Sequence, residues 1–322
     1  MIAALLRRAQ ALERPGRQLR RLVYIGDTRM NDGTAFAHIC AAGGWPGRAF
    51  IGRDDLDQPA RIKQVGALFM ANRWALLVDF LRQAEQAGFP LDEGTAVIVD
   101  LDKTAIAARG RNDHVIDAAR VEGLERTAAE FLGPAWDPVA CRRAYAELDR
   151  PAYHAFTGDN QDHIAYLCLV LGAGLLSLPD LLDGVRSGKL RAFDHLLAQV
   201  DGRRDALARC GLLPVHEAFW THVQAGDPTP FKAFREQEYL ETTARCGPLP
   251  GATAEEALAQ RIVLTGEVCA AAQDLRARGA LLLAISDKPD EAAAPSAAGE
   301  LAQAGGRPPL HRLEMLIVKG GG

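Results

Sequence analysis

The feature that most constrains this chain is a set of short, uninterrupted apolar runs, each followed by a polar residue or a glycine. The clearest run is Ala96–Val99, which ends at Asp100. Similar runs occur at Leu22–Ile25, Ala49–Ile51 and Leu281–Ile285. Strands buried on both faces have such continuous apolar sequences, and here they alternate with helical patterns. The sequence therefore predicts an α/β fold in which helices flank a parallel sheet.

Between the third and fourth runs the pattern changes. Residues 115–250 contain helical patterns and hardly any strand candidate, and the predicted helices lie at 115–132, 138–148, 161–176, 190–212 and 214–224. We therefore predict a Rossmann-like core in two parts, residues 1–108 and 255–322. A large all-helical insert at residues 109–254 separates them.

Two further segments of the predicted core have recognisable patterns. An amphipathic pattern from about Ile62 to Ala87 predicts one long helix that stops at Gly88. Met315–Val318, close to the end of the chain, is a candidate for a last strand.

The composition is typical of a globular protein, since 48% of the 322 residues are hydrophobic and 24% are charged. The net charge of −4 provides no basic field of the kind that nucleic-acid binding requires. The six cysteines form no CxxC pair, which favours reduced thiols in a cytoplasmic protein. Residues 164–179 are too few to span a bilayer, and residues 1–21 lack the order of a signal peptide. We therefore expect a cytoplasmic location, no membrane association and no nucleic-acid partner. The sequence does not indicate an oligomeric state.

Two carboxylates follow the clearest strand, in the sequence Asp100-Leu-Asp102-Lys-Thr104. Such a pair can supply a nucleophile and a proton donor, or can bind a hard cation together. The alternative is structural, with Asp102 or Thr104 capping the following turn. In an open α/β sheet, ligands bind at the carboxyl ends of the strands, where this motif lies.

Two other polar motifs follow strand ends. Ser286 comes directly after Leu281–Ile285, where its hydroxyl could donate to a phosphate oxygen or could close a turn. Gly26-Asp27 follows the first strand and Asp32 lies five residues further on. These two carboxylates could hold a cation in one loop, or could cap the start of a helix.

Together the three motifs resemble the haloacid dehalogenase superfamily of phosphohydrolases. That family combines an apolar strand and DxDx[TV], a strand and Ser/Thr, a lysine, and a [GS]D-x(3–4)-[DE] motif. Asp100–Thr104 matches the first, Ser286 matches the second, and Gly26 to Asp32 matches the last. The resemblance covers residues 1–108 and 255–322, and the helical insert lies where the family carries a C1-type cap.

The order of the motifs departs from the family, because the acidic motif precedes the nucleophile. A circular permutation that cuts the family's core between its third and fourth strands would explain this order, with residues 53–95 bridging the old ends. Domain termini often lie close together at the surface, so such cuts are tolerated. The alternative is that residues 1–52 form an unrelated α/β piece that copies the motif.

The resemblance implies a Mg²⁺-dependent enzyme in which Asp100 attacks phosphorus and Asp102 acts as general acid and base. Asp100, the backbone carbonyl of Asp102, and Asp27 or Asp32 would bind Mg²⁺. Thr104, Ser286 and a lysine would bind the phosphate oxygens. Lys319 fits the permuted order, and Lys288 is the alternative because it follows Ser286 so closely.

The insert should select the substrate, which we expect to be a small phosphorylated metabolite. Lys232 and Arg235 could bind a second anionic group, or could anchor a loop on the core. Arg109 and Arg111 could line the cleft, or could serve as a hinge. The alternative function is a non-catalytic protein of the same fold whose helical insert binds a partner.

Overall fold

The computed structural model describes residues 1–294 and 308–320. Within these ranges the chain forms two compact units. The first consists of residues 1–117, 245–288 and 313–320, and the second of residues 118–244, 289–294 and 308–312. The sequence-based division gave all of 255–322 to the core, whereas the structure groups residues 289–294 and 308–312 with the helical unit.

The first unit contains all eight strands of the described chain: β1 (Arg21–Gly26), β2 (Gly47–Gly52), β3 (Ile62–Val65), β4 (Leu68–Ala71), β5 (Thr95–Asp100), β6 (Leu264–Thr265), β7 (Leu281–Ile285) and β8 (Ile317–Val318). Six of them form one sheet in the order β3-β4-β2-β1-β5-β7. All neighbours are parallel except β3, which runs antiparallel to β4. The predicted α/β fold with a mostly parallel sheet is therefore confirmed.

Helices cover both faces of the sheet: α1 (Ile2–Glu13), α2 (Asn31–Gly43), α3 (Leu77–Gln86) and α14 (Gly266–Ala277). Side chains alternate between faces along a strand. Leu22 and Tyr24 of β1 pack with α1 and α2, while Val23 and Ile25 pack with α3 and α14. Burial on both sides explains why these strands have no polar alternation.

One sequence prediction about this unit is wrong, and a second is confirmed in part. Residues 62–71 form the β3–β4 hairpin instead of the first half of a long helix, and α3 begins only at Leu77. Gly66 adopts φ +61°, a conformation that glycine reaches without strain and that turns the chain between the strands. The candidate for a last strand is confirmed as β8, but this strand pairs with β6 in a separate two-stranded sheet and does not extend the main sheet.

The second unit is all-helical, and the boundary between the units falls inside α4 (Asp113–Leu132). The remaining helices of this unit are α5 (Pro138–Leu148), α6 (His154–Thr157), α7 (Gln161–Gly172), α8 (Leu178–Arg186), α9 (Phe193–Asp201), α10 (Arg204–Arg209), α11 (Leu213–Gln224), α12 (Lys232–Ala244) and α15 (Asp290–Ala293). Helix α13 (Ala254–Gln260) belongs to the first unit. The predicted large helical region is thus confirmed.

Helix α7 is the centre of the helical unit, because residues 164–170 are all buried. Tyr166 stacks on Phe219 with ring centroids 4.2 Å apart, and His163 stacks on Phe193 at 3.8 Å. Among the residues that the structure describes, no helix is both long enough and apolar enough to span a bilayer.

Beside this apolar core lies a buried ionic cluster. The carboxylates of Asp162 and Glu238 are fully buried, and both pair with the guanidinium of Arg235, whose side chain is 6% exposed. Burial raises the pKa of Asp162, and Arg235 opposes this rise. The cluster is therefore satisfied internally: Arg235 is the counter-ion that the two carboxylates share, and Glu238 also pairs with Arg120 at 3.2 Å.

Replacing Arg235 with methionine should destabilise the protein by about 3–5 kcal/mol, because two buried carboxylates lose a counter-ion. Urea unfolding followed by circular dichroism measures this change. Arg142→Met, which breaks an exposed pair with Glu125, is the matched control and should leave the unfolding midpoint almost unchanged. Equal effects of the two substitutions would contradict the assignment of Arg235 as an internal counter-ion.

Candidate functional site

Parallel pairing of β1 with β5 brings acidic residues from distant parts of the chain to one edge of the sheet. Ile25 lies opposite Val99, so the two strands end side by side. Asp100 is the last residue of β5, Asp27 follows β1, and Asp32 lies in the first turn of α2. Carboxylate oxygens from these three residues lie within 4.8 Å of one another. Their side chains are almost completely buried.

Asp32 is held in place by the loop that precedes it. Its Oδ2 accepts hydrogen bonds from the backbone N–H of Asp27 at 3.0 Å, and from the N–H and hydroxyl of Thr28 at 2.7 and 3.0 Å. Its Oδ1 accepts a bond from the Tyr24 hydroxyl at 3.0 Å. A Cβ on Gly26 would lie 2.5 Å from Cγ of Asp32, so only glycine leaves room for this carboxylate.

Asp27 forms an ion pair with Arg109, one of the predicted site residues. Arg109 reaches back to the sheet edge because the loop after β5 turns sharply. Its backbone N–H donates to the carbonyl of Lys103 at 2.7 Å. Lys103 and Ala107 adopt φ values of 58° and 55° in this loop, which is an unfavourable conformation for residues with a Cβ. The loop therefore places the guanidinium of Arg109 beside the three carboxylates.

Burial and mutual repulsion disfavour negative charge at this site. Burial, together with the nearby charges of Asp32, Asp27 and Asp287, raises the pKa of Asp100 to about 8. Burial also raises the pKa of Asp27 to about 6, although Arg109 opposes the rise. The pKa of Tyr24 is raised by burial and by Asp32 and Asp100. At neutral pH the Asp100 carboxyl therefore retains its proton until a cation offsets the surrounding charge.

The donor set fits a hard divalent cation. Mg²⁺ and Ca²⁺ prefer carboxylate oxygens, at about 2.0–2.6 Å from the ion. Three carboxylates within 4.8 Å can reach one ion of this kind, and its charge would relieve the repulsion that raises the pKa of Asp100. Both oxygens of Asp32 already accept hydrogen bonds, whereas the ion pair with Arg109 engages one oxygen of Asp27, its Oδ2. Asp100 and Asp27 are therefore the better ligands.

The other residues of the first motif lie just beyond β5. Asp102 is half-buried in the loop, where its backbone forms a bridge with Ile106, and it is not part of the carboxylate cluster. Thr104 is fully buried, and its hydroxyl has no hydrogen-bond partner within the described part of the chain. The hydroxyl nevertheless lowers the pKa of Asp100, so it lies close to that carboxyl.

The Ser286 motif follows β7, the strand on the other side of β5. The Ser286 hydroxyl accepts a hydrogen bond from the backbone N–H of Lys288 at 3.0 Å, which is the turn-closing role that the sequence left open. Its own proton remains able to donate. Asp287, which none of the three motifs includes, contributes to the raised pKa of Asp100. The sequence feature that could have identified Asp287 is its position directly after Ser286, at the end of a strand.

Lys319 follows β8 in the two-stranded sheet. Its side chain packs against Gly266, since a Cβ added to Gly266 would lie 2.5 Å from the Cγ of Lys319. Arg111 pairs with Asp54 at 2.7 Å and with Glu267 at 2.9 Å, and its side chain is buried. Arg111 is therefore an internal counter-ion that links the loop after β2 to α14.

Lys232 and Arg235 belong to the helical unit, and both have carboxylate partners there. Lys232 pairs with Asp227 at 2.8 Å and with Glu291 at 2.5 Å. In the structure, carboxylates of the helical unit therefore hold both side chains, and substrate binding by these two residues stays a prediction. Partnered charges of this kind have no signal in a single sequence.

Comparisons of the chain with protein-family models, with curated proteins and with solved structures find no match. The function is therefore inferred from the geometry of the site itself.

Asp100→Asn should stabilise the metal-free protein at high pH. Because the pKa of Asp100 is about 8 in the folded state and 3.8 ordinarily, the fold holds a proton that the unfolded chain releases. Stability therefore falls as the pH rises from about 4 to about 8. The substitution removes this loss, and we expect a gain of about 1–3 kcal/mol at pH 8 that shrinks toward pH 5.

Urea unfolding in EDTA at pH 5 and pH 8 measures this difference. Asp57→Asn, at an exposed position outside the cluster, is the control and should change stability equally little at both values. A gain from Asp100→Asn that is the same at pH 5 and pH 8 would contradict the raised pKa.

Proposed function

We propose that this protein is a Mg²⁺-dependent phosphohydrolase that acts on a small phosphorylated molecule through an aspartyl-phosphate. The observation that carries the proposal is the cluster of Asp27, Asp32 and Asp100 at the carboxyl edge of a parallel sheet. The strands of all three motifs are neighbours, in the order β1-β5-β7. This adjacency is what a permuted haloacid dehalogenase core requires, and it supports that interpretation of the sequence.

Asp100 is the nucleophile in this proposal. One of its carboxylate oxygens forms a bond to phosphorus while the ester P–O bond breaks, and Asp102 donates a proton to the departing oxygen. Asp102 then accepts a proton from water as the water oxygen attacks the phosphorus of the aspartyl-phosphate. The Asp100–phosphorus bond breaks, and inorganic phosphate leaves.

Asp100 and Asp27 would hold Mg²⁺, which supplies the positive charge that keeps Asp100 ionised and offsets the charge of the phosphate. Asp32 keeps the loop after β1 in position. Thr104 and Ser286 each carry a hydroxyl that can donate to phosphate oxygens. Lys288 and Lys319 are the two candidates for the phosphate-binding lysine. Lys288 is the better supported, because the adjacent residue Asp287 lies near enough to Asp100 to raise its pKa.

Mg²⁺ binding should strengthen as the pH rises from 6 to 8.5, because Asp27 and Asp100 must lose protons to bind the ion. Isothermal titration calorimetry with MgCl₂ measures the affinity. We expect Asp27→Asn and Asp100→Asn to weaken it at least ten-fold, with Asp57→Asn as the unaffected control. Affinity that does not depend on pH, or that survives Asp100→Asn, would contradict the site.

Phosphate release from a panel of phosphorylated metabolites and an aryl phosphate tests the activity. We expect release with Mg²⁺, none with EDTA and none from Asp100→Asn. Asp102→Asn should lower the rate about 10²–10⁴-fold, the usual contribution of a general acid. Lys288→Ala and Lys319→Ala assign the lysine. If Mg²⁺ binds but no compound releases phosphate, the partner-binding alternative replaces the proposal.

A further inference from the structure

A basic pocket lies directly beside the carboxylate cluster. It is a cavity of about 300 Å³, and Asp27 forms part of its wall. Four cationic residues line it: Arg29, Arg53, Arg61 and Lys63. None of the four is among the cations that the sequence motifs single out. All of them belong to the unit that contains the sheet.

The sheet topology brings these cations to the same edge as Asp27. Strand β2 is parallel to β1, so Arg53, which follows β2, lies at the carboxyl edge. Strand β3 is antiparallel to β4, so the start of β3 lies beside the end of β4, with Lys63 opposite Met70. Residues from four different segments therefore meet at one place.

The loop that carries Arg61 is fixed rather than loose. Asn72 is 8% exposed, and its Oδ1 accepts a hydrogen bond from the backbone N–H of Arg61 at 2.7 Å. Its side-chain amide donates to the carbonyl of Pro59 at 2.9 Å. This bracing positions the pocket before any ligand binds, and a preformed site loses less entropy on binding.

In the part of the chain that the structure describes, the cations of the pocket are largely without carboxylate partners. Within residues 1–294 and 308–320, Arg29, Arg61 and Lys63 have no carboxylate partner, and Arg53 has only a long contact of 3.6 Å with Asp55. In contrast, the four cations that the sequence offered as cleft or substrate contacts are paired with carboxylates: Arg109, Arg111, Lys232 and Arg235. A concave site with excess positive charge is suited to an anion.

We propose that the substrate carries a second anionic group, besides the phosphoryl group that is transferred, and that this second group binds in the basic pocket. The proposal rests on the proposed function, because it takes the carboxylate cluster as the place where the phosphoryl group reacts. Arginine guanidinium groups bind phosphate or carboxylate oxygens in pairs, and Lys63 adds a point charge. The substrate class is therefore a small bisphosphate or a phosphorylated carboxylate.

Matched pairs of compounds separate this proposal from simple phosphatase activity. Glycerol 3-phosphate and 3-phosphoglycerate differ by a carboxylate, and fructose 6-phosphate and fructose 1,6-bisphosphate differ by a phosphate. We expect at least one two-anion compound to have a kcat/KM at least ten-fold above that of its partner, mainly through a lower KM. In the double variant Arg61→Gln/Lys63→Gln this preference should disappear.

Arg8→Gln is the matched control, since Arg8 is an exposed cation of the same unit that lies outside the pocket. It should leave the preference unchanged. Circular dichroism of the double variant checks that it folds. The proposal is overturned if wild type prefers neither two-anion compound, or if the double variant keeps the preference.

A binding measurement keeps this result distinct from failure of the phosphohydrolase proposal. The same four compounds are titrated calorimetrically into wild type, the double variant and Arg8→Gln, all in EDTA so that no turnover is required. Tighter binding of a two-anion compound that depends on Arg61 and Lys63, without phosphate release, would support the pocket and contradict the activity. Equal binding of both members of each pair would contradict the pocket even if phosphate is released.

Discussion

The parallel pairing of β1 with β5 is the constraint on which the site depends. It places Asp27 and Asp100 at neighbouring strand ends, and the absence of a side chain at Gly26 lets Asp32 pack against the same edge. Backbone hydrogen bonds and apolar burial on both faces of the sheet stabilise this pairing. The sheet thus supplies the free energy that forces three carboxylates together in a buried place.

That arrangement is unfavourable by itself, and the surrounding residues reflect this. Arg109 neutralises part of the charge, while Tyr24 and Thr28 donate hydrogen bonds to Asp32. The pKa of Asp100 nevertheless remains raised, to about 8. Groups with strongly shifted pKa values occur most often at functional sites, because catalysis and cation binding need such environments. The repulsion between the carboxylates destabilises the fold, and the same repulsion favours binding of a cation at the site.

The cations fall into two groups, those paired with internal carboxylates and those that line the basic pocket. Arg111 and Arg235 form ion pairs with internal carboxylates, so they contribute to the stability of the fold. Among the described residues, the cations of the basic pocket have no comparable carboxylate partner, and they lie next to Asp27. A phosphorylated molecule with a second anionic group would bring together the carboxylate cluster and this pocket. Both lie at one edge of the sheet, within the first unit.

The sequence by itself determined the α/β class, the positions of β1, β5 and β7, the helical region and the acidic motifs. It could do so because buried strands and strand-end carboxylates leave local patterns of composition and spacing. The β3–β4 hairpin was missed, since a short alternating segment beside α3 also fits helical periodicity. Only the tertiary structure decided which cations are neutralised and which line the pocket beside Asp27. Ion pairing and sheet order join residues far apart in the chain, and no local pattern records those contacts.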